Sequence, residues 1–176
     1  MAQNVEIKAY LQKPAVLRSR VEELADDGAT RLEQEDVFFD SANGRLKLRK
    51  FGGGGAELIY YARRDDRGPV ESQYMKIPVE DGSGIEAMLS VALGVRGTVR
   101  KRRDLYRVGQ TRVHIDEVDG LGSFLELEVE LDGGQSTEAG QKIARGLMDE
   151  LGVADGDLIG EAYIDLLELP RVAPEE

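Results

Sequence analysis

In "FLELEVEL" (124–131) Leu125, Leu127, Val129 and Leu131 alternate with Glu126, Glu128 and Glu130. That period of two is the signature of a β-strand with one apolar and one charged face. The same alternation recurs three times. Val5, Ile7 and Ala9 oppose Asn4, Glu6 and Lys8; Leu46 and Leu48 oppose Arg45, Lys47 and Arg49; Val113 and Ile115 oppose Arg112, His114 and Asp116. With turn punctuation, the pattern predicts strands at 3–10, 34–40, 44–51, 56–63, 70–79, 96–107, 111–119 and 122–132. Tight hairpin turns fall at Asn43-Gly44, Gly109-Gln110 and Asp119 to Gly122.

A period near 3.6 predicts four helices. Pro14 to Asp27 carries Leu17, Val21 and Leu24, with Gly28 as its cap. Ile85 to Leu93 carries Met88, Leu89, Ala92 and Leu93. Thr137 to Leu151 follows Ser136 as N-cap, and Gly160 to Leu167 carries Ala162, Tyr163, Leu166 and Leu167. Eight strands joined mostly by hairpins favour an antiparallel α+β fold. A half-buried sheet with a wet charged face would satisfy any one strand. The charges, however, come as blocks of one sign per strand, and four amphipathic helices are available to cover apolar faces. A closed β-barrel with a charged interior and helices packed on the outside accounts for both.

The 176 residues suit one domain, over 1–170, with a short tail at 171–176. Hydrophobic residues at 41% and charged residues at 32% exclude a disordered chain. With no cysteine, disulfides and thiolate metal sites are excluded. The start "MAQNVEIKAYLQK" has no apolar leader, and no run reaches membrane-spanning length, so the expectation is a cytoplasmic protein with no membrane partner. The net charge of −11 argues against nucleic acid. That average hides basic blocks, "GRLKLRK" (44–50) and "VRKRRDLYR" (99–107).

If the charged faces line one cavity, its acids are Glu6, Asp116, Glu126, Glu128 and Glu130, and its bases Lys8, Arg45, Lys47, Arg49 and Arg112. In "VRKRRD" both faces are basic, and alternation does not choose between Lys101 with Arg103 and Arg100 with Arg102. Arg and Lys arrays bind phosphate by charge-assisted hydrogen bonds. A cluster of carboxylates suits a hard divalent ion such as Mg²⁺ or Mn²⁺. Together they point to a metal–polyphosphate complex. Neighbouring glutamates on one strand face, about 7 Å apart, repel by about 2 kcal/mol at an effective dielectric of 20, which a bound cation would relieve.

"NVEIKAYL", "GRLKLRKF", "VRKRRDLYRVGQTRVHIDEVDGLGSFLELEVEL" and "EAYIDLL" resemble, in order, the CYTH proteins or triphosphate tunnel metalloenzymes, in particular class IV adenylyl cyclase-like members. The resemblance covers about residues 4 to 167. It implies an eight-stranded tunnel holding a triphosphate with divalent metal. The family's E-x-E-x-K falls on Asn4, Glu6 and Lys8, its V-x-K-x-R on Val99, Lys101 and Arg103, and its late acidic ligands on Asp116, Glu126 and Glu128. It thereby implies Glu6, Asp116, Glu126 and Glu128 for metal. Lys8, Arg45, Lys47, Arg49, Lys76, Lys101, Arg103 and Arg112 would hold substrate, with Asp116, Arg103 and Lys8 nearest the chemistry. Three positions depart from the pattern: Asn4 replaces a glutamate, and Tyr61 and Tyr74 stand where a lysine and an arginine are common.

The activity so implied converts ATP to cyclic AMP and pyrophosphate. The alternatives are a triphosphatase acting on inorganic triphosphate, ATP or thiamine triphosphate, and a non-catalytic binder of phosphorylated ligands. An acidic protein-interaction domain rests on net charge alone. A homodimer fits the class. For His114, the only histidine, a satisfied hydrogen-bonding role is the simpler reading beside proton relay. "GGGG" (52–55) lacks phosphate-loop spacing and reads as a hairpin loop.

Overall fold

The computed structural model describes residues 1–169; the tail expected at 171–176 lies outside them. The strands are β1 (Ala2–Tyr10), β2 (Thr30–Phe39), β3 (Arg45–Phe51), β4 (Ala56–Arg63), β5 (Val70–Val79), β6 (Val95–Val108), β7 (Thr111–Val118) and β8 (Gly122–Glu130). The helices are α1 (Pro14–Leu24), α2 (Gly82–Leu93), α3 (Thr137–Leu151) and α4 (Tyr163–Glu168), with a 3₁₀ turn at Asp155–Asp157. All strand pairs are antiparallel, and the sheet closes in the order β1-β5-β4-β3-β2-β6-β7-β8. The expected barrel and external helices are both present.

Closure makes each strand's alternation an inside–outside code. The outward Val5, Ile7 and Ala9 of β1, Val113 and Ile115 of β7, and Leu125, Leu127 and Val129 of β8 are buried. Above them lie Leu17 and Val21 of α1 and Ala144, Leu147, Met148 and Leu151 of α3. Each such side chain contributes about 1.5–3 kcal/mol by leaving water. Ser136 Oγ accepts from the Ala139 amide, as its N-cap reading expects. α2 covers the other side, setting Ile85 and Leu89 over Val37, Phe39 and Leu48.

α3 approaches β1 closely because Gly140 faces it. A Cβ there would sit 2.7 Å from both Leu131 Cδ2 and Val5 Cγ2. Gly140→Val is therefore expected to destabilise the protein by about 1–3 kcal/mol through overpacking. Urea unfolding reads the change, and an unaltered midpoint would contradict the packing.

Several boundaries differ from the sequence expectation, among them the start of α2 at Gly82, not Ile85, and the end of β8 at Glu130, not 132; three others have a clear tertiary cause. α1 stops at Leu24, not Asp27, and Gly28 is not its cap. Asp26 instead turns to the β6–β7 hairpin, its N–H donating to Arg107 O and its Oδ2 accepting from the Gly109 amide. β2 begins four residues early, at Thr30, because 30–33 pair with 102–105 of β6. The last helix starts at Tyr163, not Gly160, since the Ile159 N–H donates to Lys8 O and holds that segment against β1.

Residues 159–168 plug one end of the barrel. Ile159, Ala162, Tyr163 and Ile164 pack on Phe38, Val99, Val118 and Phe124. At that end Arg45 donates to Asp65 and Asp165 at 2.7 and 2.8 Å, and Arg96 donates to Asp165 and Glu168.

Candidate active site

Inside the barrel lies a cavity of about 90 Å³, several water molecules' worth of room. Among the described residues, eight cations line it: Lys8, Lys47, Arg49, Arg63, Lys76, Lys101, Arg103 and Arg112. Only four carboxylates do, Glu6, Asp36, Glu126 and Glu128. In a chain of net charge −11, this segregates positive charge into the interior of the barrel.

Pairing in register brings these groups together. Glu6 stands opposite Glu128, and Lys8 opposite Glu126, across β1 and β8. Arg112 and His114 of β7 face Glu128 and Glu126. β6 sets Arg103 opposite Asp116, and the inward face carries Lys101 and Arg103, as the resemblance implies. Arg100 and Arg102 are outside, with Glu35 and Glu117.

Two buried aspartates hold the cations in place. Asp116, fully buried, accepts from Arg103 Nε and Nη2 at 2.7 and 2.6 Å, from Lys101 Nζ at 3.1 Å and from Tyr163 Oη at 3.0 Å. It stands behind Lys101 and Arg103 and is not among the residues lining the cavity. Asp36 does the same on β2, accepting from Arg49 Nε and Nη2 and from Lys47 Nζ, each at 2.7 Å. Burial pushes both carboxyls up, but the adjoining Arg and Lys outweigh it and hold both below the usual range.

Burial and the neighbouring Arg49 bring Lys47 down to about 7 against the pull of Asp36. Burial also lowers Lys8, Lys101 and Lys76. Arg45, expected in the substrate set, is placed at the plugged end among Asp65 and Asp165 and does not line the cavity. Lys76 stands exposed on the cavity's rim. Glu130 pairs with Arg107 and Arg112.

The acidic wall is ionised unevenly. Burial raises Glu126 and Glu128, but neighbouring positive groups reverse this. Arg103, Lys101 and Lys8 hold Glu126 well below the usual range, and His114, Arg112 and Arg103 bring Glu128 to about 2, His114 contributing only when protonated, a state that burial and Arg103 disfavour. Glu6 goes the other way: burial lifts it to about 7, although Arg63 Nε sits 2.8 Å away. The residues fit a divalent cation. Three carboxylates converge from paired strands, and Asn4 Oδ1 is buried without a hydrogen-bond partner among the described residues. An oxygen set of this kind suits a hard ion.

Asp36, Arg63 and Tyr163 were not among the residues singled out from the sequence. Tyr163 closes the cavity floor, with Lys8 Nζ 4.1 Å and Lys101 Nζ 4.9 Å from its ring centroid. Arg63 is two residues beyond Tyr61 on the same face and supplies a guanidinium there. His114 departs from its simpler reading: it is buried, yet its Nδ1 has no hydrogen-bond partner.

Comparison with known proteins agrees with this geometry. "Putative adenylate cyclase MJ0240" of Methanocaldococcus jannaschii is 22% identical over 171 residues, spanning 92% of this chain and 97% of its own. The PH1012 protein of Pyrococcus horikoshii OT3 superposes with a TM-score of 0.82 at 26% identity, covering 93% of this chain and 98% of that one. HpAC1 of Hippeastrum, an adenylyl cyclase by name with a dominant triphosphatase activity, superposes at 0.68 with 16% identity, covering 99% and 98%. The CYTH domain family matches residues 2–163, nearly the whole chain, and this protein belongs to that family.

Proposed function

We propose that this protein binds the triphosphate chain of a nucleotide or of inorganic triphosphate inside its barrel and, with a divalent cation, cleaves one of its phosphoanhydride bonds. The observation that carries this reading is the excess of eight cations over four carboxylates in one cavity of an acidic protein. Arg103 and Arg49, locked by Asp116 and Asp36, offer planar guanidinium forks that suit phosphate oxygens. Lys8, Lys101 and Lys47 supply point charges between them. Positions fixed before substrate arrives cost no reorganisation at the reacting phosphorus.

Glu126, Glu128 and Glu6 would hold the cation, Mg²⁺ or Mn²⁺, which supplies Lewis-acid neutralisation of phosphate charge when bound. In the cyclase reading, the ribose 3′-oxygen attacks the α-phosphorus, pyrophosphate leaves, and the hydroxyl proton is lost to solvent. This is the activity in the names of several relatives. A specific observation favours hydrolysis as a second reading. The cavity's aromatic rings already carry cations: Lys47 Nζ lies 5.3 Å from the Phe38 and 5.5 Å from the Tyr61 centroid, and Lys76 Nζ 5.3 Å from that of Tyr74. That leaves little aromatic surface for a base, whereas water and an inorganic chain need none.

Phosphorus NMR of the protein with Mg²⁺ or Mn²⁺ and ATP, tripolyphosphate or thiamine triphosphate tests both. Cyclic AMP with pyrophosphate selects the cyclase, and orthophosphate with a shortened chain the hydrolase. Tight metal-dependent binding without turnover would reduce the protein to a binder.

A further inference from the structure

His114 is a buried group beside the cavity whose chemistry is unused. Its side chain stands on β7 opposite Glu126 and is 3% exposed. Nδ1 lies 3.6 Å from Glu126 Oε2 and 3.8 Å from Glu128 Oε1, too far to hydrogen-bond either, and it has no other partner among the described residues. A buried polar atom left in that state costs about 1–3 kcal/mol.

The arrangement makes sense around an ion. One ligand atom each from His114, Glu126 and Glu128 falls within 4.8 Å of the others. Two ligands about 2.1 Å from one ion stand roughly 3.0–3.5 Å apart in octahedral or tetrahedral geometry, so small side-chain shifts close the set. Glu128 already divides its oxygens, Oε2 accepting from Arg112 and Oε1 facing His114. Asn4, an amide, leaves the β1 side with Glu6 as its one carboxylate in the cavity, so a further ligand from β7 is useful.

We propose that His114 Nδ1 is a third ligand, with Glu126 and Glu128, of the tunnel's divalent cation. The site then prefers Mn²⁺, or a comparable transition ion, over Mg²⁺. Imidazole suits first-row transition metals, while Mg²⁺ favours oxygen donors and keeps its waters. The inference rests on the reading of the barrel as a metal site.

Because His114 is the only histidine, ¹⁵N-histidine labels one position. The full chain, with any affinity tag removed, is loaded with Mn²⁺ alone and examined by electron spin-echo modulation, labelled and unlabelled. The expected result is an imidazole ¹⁴N modulation that changes to the ¹⁵N pattern on labelling. In His114→Gln that modulation should vanish. Mn²⁺ affinity should fall about tenfold, with Mg²⁺ affinity within about twofold. Bound Mn²⁺ without histidine modulation in the unsubstituted protein overturns the proposal and leaves the carboxylate site standing. Failure to bind Mn²⁺ at all overturns both. The labelling result does not depend on how well the variant folds.

Discussion

Glu126→Gln is expected to lower metal-dependent triphosphate turnover by about 10²–10³-fold while the barrel stays folded. The carboxylate is half-buried and held ionised by Arg103, Lys101 and Lys8, and it faces His114 and the β1 wall. An amide of the same size removes one negative charge from the cation's surroundings. In an enclosed site this is worth several kcal/mol, and each 1.4 kcal/mol is tenfold in rate. The fold should survive because Arg103 keeps its paired bonds to Asp116 and β8 keeps its outward Leu125, Leu127 and Val129. Steady-state rates with Mg²⁺ and Mn²⁺, alongside a melting curve, check both halves. Full activity in the variant would remove Glu126 from the metal site.

How much of this was legible depended on how cleanly each strand alternates. In β1, β3, β7 and β8, inward and outward residues differ in kind at most steps, Lys50 and Glu117 being outward exceptions, so the charged wall followed from period alone. β2 conceals its face. Val37, Phe38 and Phe39 are three apolar residues in a row, because Phe38 points inward to the plugged end while its neighbours point out to α2. Asp36, one residue before that run, was therefore not recognised as an inward charge. β6 is basic on both faces, so alternation could not choose; the V-x-K-x-R resemblance did, and the pairing of Arg103 with Asp116 gives the physical reason.

Arg63 was findable, since it continues the Tyr61 face by two residues, but Arg64 beside it blurs the step. Tyr163 was read correctly as a helical residue. Its place under Lys8 and Lys101 depends on the C-terminal segment crossing the barrel end, a contact between residues more than 150 apart in sequence for Lys8. The missing boundary of α1 has the same origin: Asp26 is recruited by the β6–β7 turn, and tertiary bonds override the helical period.

Asp36→Ala carries the largest expected cost in stability. Asp36 is 2% exposed and makes three 2.7 Å bonds, two to Arg49 and one to Lys47. Removing it leaves two buried cations facing each other, with Lys101 close enough to add to their repulsion. Breaking a buried ion pair from one side costs about 3–5 kcal/mol. For a domain of this size that is a fall in melting temperature of about 6–20 °C. Lys47 softens the loss: already at about 7, it gives up its proton more readily once Asp36 is gone. The cost should therefore be largest below pH 7, where Lys47 must stay charged, and smaller above it.

A triphosphate distinguishes a site from mere structure. Its oxygens can take the place of the lost carboxylate on Arg49 and Lys47, and Asp36 no longer competes for them. Adding tripolyphosphate with Mg²⁺ or Mn²⁺ should therefore raise the variant's melting temperature by more than it raises the parent's, because ligand bound to the folded state alone stabilises in proportion to its affinity. An equal rise in the two proteins would mean that these two cations do not touch the substrate and that Asp36 serves the barrel wall alone.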